Sequence, residues 1–253
     1  MKTLLKKTWV LSITSILLIL LTPASHAQIT EFEDDYDDYA YETEQNSISD
    51  PLVKYNQFMF KVNHKIYKHL FTPLSKGYDF LIPKKVQSSV NNFFTNVGTP
   101  QRFGNNLLQL KWKYALTEFS RFVINSTIGI GGFFDPAQAA FHLEKHDEDL
   151  GQTLGHYGAG PGPYIVWPII GPSTLRDTIG VIGDNAFDPT FWFGVLDTFE
   201  EDEILFAVSM VERVNKYSYT IRDNYDRIIN NAFDPYTSLQ HAYIENRKKK
   251  IEE

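Results

Sequence analysis

Apolar residues recur along most of this chain at the spacing of a helix face. From Asp50-Pro51 onward, Leu52, Tyr55, Met59, Val62, Ile66 and Leu70 follow one another at three- and four-residue steps. Asp50 suits the N-cap of that helix and Pro51 its first turn. A second helix is predicted from near Pro83, carrying Val86, Val90, Phe93 and Phe94. A third, over about 111–126, gathers Trp112, Ala115, Leu116, Phe119, Phe122 and Val123. A face that wide is either buried or set against lipid. After Ser173 the helical pattern resumes through Leu175, Ile179 and Ile182. A long helix over about 200–230 carries Ile204, Val208, Val211, Ile221, Tyr225 and Ile228. The last helix begins after Asp234-Pro235 and closes on Arg247-Lys248-Lys249-Lys250, cations placed where the helix dipole favours them. Asp-Pro at 50, 135, 188 and 234 marks helix starts at unequal intervals, which is not a repeat.

The middle of the chain has another character. Gly129, Gly131 and Gly132, then Gly151, Gly155, Gly158, Gly160 and Gly162, predict loops and tight turns. Tyr164-Ile165-Val166-Trp167 before Pro168 reads as a short strand, compatible with a weak hairpin. The fold class is therefore mostly α.

The N-terminus adds a compartment. Lys2, Lys6 and Lys7 precede an apolar run from Trp9 to Leu21, and Ser25-His26-Ala27 offers small side chains to a signal peptidase. Residues 1–27 are expected to be a cleaved signal peptide, with the mature chain starting at Gln28, because the apolar run is shorter than the ~20 residues of a spanning helix. Nine acids, from Glu31 to Asp50, come before Lys54, the first lysine after the signal, and leave the rest of the chain near neutral. Residues 28–49 are expected to be a disordered acidic leader, since a like-charged block with a few tyrosines buries too little to offset its ordering entropy. The helical domain is expected over 50–250. No basic surface favours nucleic acid, and with no cysteine in the sequence neither a thiol nucleophile nor an acylated cysteine is available.

Catalytic signatures are missing. The sequence holds no G-x-S-x-G, no Walker loop and no H-E-x-x-H. The run Gly158-Ala159-Gly160-Pro161-Gly162-Pro163 lacks amide donors where a phosphate cradle needs them. His142, Glu144 and His146 share metal-ligand types but contain a competing Lys145 and read better as a surface loop. Asp149, His156 and Ser173 are the residue types of a hydrolase triad without the spacing that would specify one. Neither a cofactor nor a metal is expected. The dense aromatic run Phe187-Asp188-Pro189-Thr190-Phe191-Trp192-Phe193 fits either a core or a membrane interface.

Several ordered blocks carry a family resemblance. They are Asp50-Pro51-Leu52, Tyr55-Asn56, Phe94-Thr95-Asn96, Asn106-Leu107-Leu108-Gln109, Arg121-Phe122 and Asn125 through Gly132. The densest is Asp149-Leu150-Gly151-Gln152-Thr153-Leu154-Gly155, followed by Gly162-Pro163-Tyr164, Gly171-Pro172-Ser173, Leu175-Arg176-Asp177 and Asp234-Pro235-Tyr236. Over about 50–247 the chain resembles the MlaA (VacJ) family of outer-membrane phospholipid-transport proteins. The resemblance implies a single-domain ring of amphipathic helices with a Gly-rich loop region and an amphipathic channel, lying in the outer membrane. It implies removal of mislocalised phospholipid from the outer leaflet toward the periplasm, with no enzyme chemistry. Its implied partners are phospholipid, an outer-membrane porin trimer and a soluble periplasmic lipid carrier of the MlaC type. The rival reading is a structural, porin-associated envelope protein without transport.

Gly129, Gly131 and Gly132 beside Phe133 and Phe134 are candidates for a lipid path, because glycine permits close approach and unusual dihedrals. Tyr164 and Arg176 are candidates for its polar side. Phe191, Trp192 and Phe193 are candidates for membrane contact. Many members of the family carry a lipidated cysteine, which this sequence lacks. The expected placement is thus the periplasmic side of the outer membrane, after export, without a lipid anchor and held by interfacial helices or a porin.

Overall fold

The first helix forms and runs well past its apolar stripe. In the structure, a computed structural model that describes residues 50–187 and 202–253, α1 (Val53–Ile66) passes through a π-helical turn at Tyr67–Phe71 into α2 (Thr72–Leu81). Pro73 has no N–H for the carbonyl four residues back, and the widened turn just before it absorbs that gap. The predicted helices at Pro83 and 111–126 are α3 (Lys84–Val97) and α5 (Trp112–Thr127). Between them lies α4 (Thr99–Leu108), which the apolar pattern did not mark. Then follow α6 (Pro136–Phe141), α7 (Leu150–His156), strands β1 (Tyr164–Trp167) and β2 (Gly171–Thr174), and α8 (Leu175–Asp184). The second described stretch holds α9 (Asp202–Lys216), a π turn at Tyr217–Ile221, α10 (Arg222–Asn231) and α11 (Pro235–Glu252). Asp135 and Asp234 cap α6 and α11, accepting the amides of Gln138 and Tyr236. Asp188 lies outside the described residues. The architecture is a mostly α single domain with one short antiparallel hairpin.

The hairpin runs in register from Tyr164 opposite Thr174 to Trp167 opposite Gly171. Its outer edge is closed by a helix. Asn56 Nδ2 donates to the Tyr164 carbonyl at 2.9 Å while Asn56 Oδ1 accepts the Val166 amide at 2.8 Å. Two helical turns on, Asn63 repeats the pattern with the Trp167 carbonyl at 2.8 Å and the Ile169 amide at 2.7 Å. Both amide side chains act as a backbone peptide would in a third strand, so the buried edge has its partners.

Polarity is inverted relative to an ordinary water-soluble domain. Helix α5 buries Ala115, Glu118, Arg121 and Asn125 and turns Trp112, Leu116 (65 % exposed), Phe119 and Val123 outward. Its wide apolar face is therefore not a core face. Elsewhere Gln87, Gln101, Arg102, Asn105, Asn106 and Asp184 are fully enclosed, whereas Phe80 (88 % exposed), Leu110, Ile128, Ile130 and Ile182 are open. A buried polar residue or a large exposed apolar patch is the informative departure from base expectation, and this chain has both. What apolar core exists is largely tyrosine. Tyr164, Val166, Tyr236 and Tyr243 form one cluster. Tyr67, Tyr217 and Tyr225 form the other, where Tyr67 stacks on Tyr217 at 5.6 Å and 7° from parallel. Among the described residues no helix is long and apolar enough to cross a membrane.

Part of the glycine-rich middle, expected to be turns throughout, is instead a helix crossing. A Cβ on Gly180 of α8 would stand 2.4 Å from the Gly151 amide nitrogen of α7, and one on Gly151 would stand 2.6 Å from Asp177 Oδ1. These two glycines let the helices meet backbone to backbone, which is a packing role that sequence alone does not separate from a turn. Gly131, Gly158 and Gly162 do sit at positive φ, as turns require.

Candidate functional site

The densest block of the sequence pattern, Asp149 to Gly155, builds a buried ionic clasp. Asp149 caps α7 through the Gln152 amide at 2.8 Å and holds Arg247 of α11 at 2.6 and 2.9 Å. Arg247 also reaches Asp177 Oδ1 at 2.8 Å, and the Tyr243 hydroxyl donates to Asp177 Oδ2 at 2.7 Å. Burial would push the Asp149 carboxyl upward, but the Arg247 guanidinium outweighs it and holds the group well below the usual carboxylate range. Arg176 lies beside this clasp, donating to Asp177 Oδ1 at 3.1 Å.

Asp184, at the end of α8, joins the clasp to α4. Its carboxylate accepts the Leu150 amide at 3.1 Å and Asn105 Nδ2 at 2.8 Å. Burial, and then the nearby Asp149 charge, raise its pKa to about 7. A carboxyl raised in the folded state adds stability below its unfolded value that is lost as pH climbs through the folded one. Urea unfolding of Asp184→Asn should therefore gain on the parent chain between about pH 4 and 7, at up to about 1.4 kcal/mol per pH unit. Parallel curves for the two proteins would remove Asp184 as the titrating group.

A second buried layer lies between α3, α4 and α5. Arg102 Nε donates to Glu118 at 2.7 Å and its Nη2 to Thr99 Oγ1 at 2.8 Å. One turn along α5, Arg121 donates to the Leu143 carbonyl and to Asp135 at 2.7 Å, and Asn125 adds a bond to Asp135 at 2.9 Å. Burial opposes the Asp135 charge, but the Gln138 amide and the Arg121 and Asn125 side chains lower its pKa. Arg102, Arg121, Asp135 and Asn125 line a narrow polar cleft with Asn92, Asn96 and Thr99. Asn96 donates to Ser126 Oγ at 2.9 Å, and its Oδ1 accepts no hydrogen bond from another group of the protein.

The glycine turn packs beside this cleft, with Gly132 against Asn96. The amides of Gly131 and Gly132 bond back to Ser126 and Asn125, and Ile130, Gly131 and Gly132 all have positive φ. A Cβ on Gly132 would meet Asn96 Cβ at 2.5 Å, and one on Gly129 would meet the Asn125 and Phe134 carbonyls at 2.4 Å. Phe133 stacks on Phe93 with centroids 5.0 Å apart and 20° between planes. Phe133, Phe134, Ile128 and Ile130 are exposed around the turn.

The structure thus gathers five of the sequence candidates, Gly129, Gly131, Gly132, Phe133 and Phe134, in one turn, of which Gly132 packs against Asn96 of the cleft wall. It places Tyr164 and Arg176 elsewhere. Tyr164 is enclosed with Tyr236 and Tyr243, and Arg176 belongs to the ionic clasp. Phe191, Trp192 and Phe193 lie outside the described residues. His146 stacks on Tyr114 at 4.0 Å, and among the described residues no cluster of His, Asp or Glu is arranged to hold a metal. Ser173 Oγ bonds to Thr174 and Thr178, and Asp149 is occupied by Arg247. The apolar pattern passed over Asn96, Arg102, Glu118 and Asp135. A polar stripe at helical period was the available signal, with Glu118, Arg121 and Asn125 in α5 and Gln101, Arg102 and Asn105 in α4.

Comparison with other proteins agrees with this architecture. A sequence profile of the family described as MlaA lipoprotein matches residues 48–250. An uncharacterized protein of Rickettsia prowazekii is 34% identical over 224 residues, covering 86% of this chain and 86% of its own length. The intermembrane phospholipid transport system lipoprotein MlaA of Haemophilus influenzae is 31% identical over 205 residues, covering 80% of this chain and 79% of its own. A solved structure described as the structural basis for maintenance of bacterial outer membrane lipid asymmetry superposes with a TM-score of 0.69 at 26% identity, covering 81% of this chain and 100% of that one.

These names correct one expectation. The Haemophilus relative and the family itself are called lipoproteins, so the part of the expected placement that has the protein held at the outer membrane without a lipid anchor does not stand. That placement leaned on the missing cysteine, and lack of an acyl acceptor in the sequence does not say how a protein is held. With the profile spanning most of its length and relatives aligned across four-fifths of it, the chain belongs to the MlaA lipoprotein family.

Proposed function

We propose that this protein moves phospholipid at the outer membrane, taking mislocalised lipid from the outer leaflet toward the periplasm so that lipid asymmetry is maintained. The inverted polarity carries the reading. A domain that encloses amides and ion pairs while presenting Trp112, Leu116, Ile130 and Ile179 outward suits a surrounding of acyl chains. The Haemophilus relative is named for intermembrane phospholipid transport, which gives the cargo. In this reading an outer-membrane porin trimer is a partner and a soluble carrier of the MlaC type receives the lipid. The protein binds and passes its cargo without breaking a bond. Asp149, the carboxylate of the residue types a triad would use, has both oxygens bonded to Arg247 and Gln152.

Deleting the gene should raise surface-exposed phospholipid several-fold, and restoring it should reverse the effect. Unchanged surface lipid would favour the structural, porin-associated alternative. Mass spectrometry of lipid extracted from the purified protein after hours of incubation should show intact diacyl species. Lysophospholipid that stops accumulating in Ser173→Ala or His156→Asn would overturn passage in favour of hydrolysis.

A further inference from the structure

We infer that the acidic segment Glu31–Glu44 of this chain docks along a row of lysines on the outer face of α1 and α2 and covers that row by charge. The row follows from spacing. Lys54, Lys61, Lys65, Lys68 and Lys76 succeed one another at seven, four, three and eight residues, and all five are exposed. Asn56, Asn63, Tyr67 and Ser75 keep a matching rhythm and are buried, so the lysines stand on the side turned away from the domain. The last step of eight crosses the π turn, which takes up an additional residue. From Pro51 to Tyr78 there is no Asp or Glu. Among the described residues none of the five reaches a carboxylate, whereas the next lysine, Lys84, meets Asp79 at 2.8 Å. Like charges gathered on one face repel one another and raise a positive potential that an anion relieves.

The anion is supplied by the same chain. Eight acids lie between Glu31 and Glu44 with no Lys or Arg among them. Asp50 fixes where this segment joins α1, because its carboxylate accepts the Leu52 amide at 3.1 Å, Asn56 Nδ2 at 2.9 Å and, from α11, Gln240 Nε2 at 3.2 Å. The acids are therefore delivered at the Lys54 end of the row, and Gln45–Ser49 is long enough for the chain to reverse. Lengths agree as well. Lys54 to Lys76 covers roughly 33 Å of helix at 1.5 Å per residue. Glu31 to Glu44 reaches about 43 Å when extended at 3.3 Å per residue. Phe58, four residues past Lys54, and Phe80, four past Lys76, are exposed on the same face and offer apolar contact to Phe32, Tyr36 and Tyr39. A contact held by charge needs no apolar core, which so acidic a segment cannot build. Each exposed pair is weak by itself, but several act together on a tethered segment whose local concentration is high.

The test uses the purified protein and a carbodiimide, which joins a carboxylate to a lysine amine in contact with it. In about 20 mM NaCl, mass spectrometry should find links from Glu31–Glu44 to the five lysines at least fivefold more abundant than in 1 M NaCl, where the screening length falls to about 3 Å. Mixing nitrogen-15-labelled with unlabelled protein should leave those links within single chains. Replacing the eight acids by Asn or Gln should speed acetylation of the five lysines at least threefold and leave that of Lys113, exposed on α5, unchanged. Circular dichroism checks that the variant is folded; if it is not, the links in the parent chain and their salt dependence decide. Links no more abundant than in 1 M NaCl, links running between chains, or acetylation rates that do not respond to the acids overturn the docking. Absence of links together with flotation of the parent chain on phosphatidylglycerol vesicles that is lost when the five lysines become Gln overturns it in favour of an anionic membrane surface.

Discussion

Arg247→Ala should lower the melting temperature by roughly 10 °C, the largest single-residue effect expected in this molecule. Arg247 is 4 % exposed, and its guanidinium is bonded to two carboxylates, Asp149 at the N-cap of α7 and Asp177 in α8. Removing it leaves two buried anions facing each other, and breaking such a pair costs about 3–5 kcal/mol. For a domain of about 200 residues each kcal/mol shifts the midpoint by roughly 2–4 °C. Arg247→Lys should recover little of the loss, because a point charge cannot reproduce the fork that spans both aspartates. Circular dichroism melts of the two variants check this. A midpoint within about 2 °C of the parent would mean that α11 is held by its tyrosine contacts and not by the clasp.

The second large effect concerns membranes and not stability. Trp112, Leu116 and Val123 lie on one exposed face of α5, and their replacement by serine should reduce partition into phospholipid vesicles at least a hundredfold. Withdrawing each such side chain from water contributes about 1.5–3 kcal/mol, so three losses comfortably reach that factor. Because none of the three is buried, the unfolding midpoint should stay close to the parent's. Flotation of vesicles with the triple variant measures the first quantity and a melt the second. A variant that melts early and still floats would show that this face packs inside the protein in solution.

Helix positions were legible because apolar residues mark a helical face whichever way it points. Periodicity placed α1, α3, α5, α8 and α11, and the Asp-Pro caps at 135 and 234 held. Its sense was not legible. Trp112 and Leu116 give the same stripe facing a core or facing lipid, and only the buried Glu118, Arg121 and Asn125 on the opposite side decide between them. Helix α4 escaped notice for the same reason, since its interior face is Gln101, Arg102 and Asn105. Gly151 reads as a turn residue because the partner it must touch, Gly180, lies on another helix. The candidate site was half legible. The glycine turn announced itself by composition, whereas the cleft beside it, with Asn96 and Arg102, became visible only in the fold.

The enclosed amides and ion pairs also shape how this fold answers temperature. Exposing apolar surface on unfolding raises heat capacity, while exposing polar surface lowers it. A chain that already shows Phe80, Leu116 and Ile130 to its surroundings and releases Gln87, Asn105 and Glu118 on unfolding has the first contribution reduced and the second enlarged. Its free-energy curve in water is accordingly flatter than that of a water-soluble domain of equal length, with weak cold destabilisation and a broad plateau of nearly constant stability. The same balance ties cohesion to hydrogen bonds and charge pairs that persist when acyl chains replace water outside, so passage from an aqueous compartment to a lipid one leaves the interior interactions largely as they were.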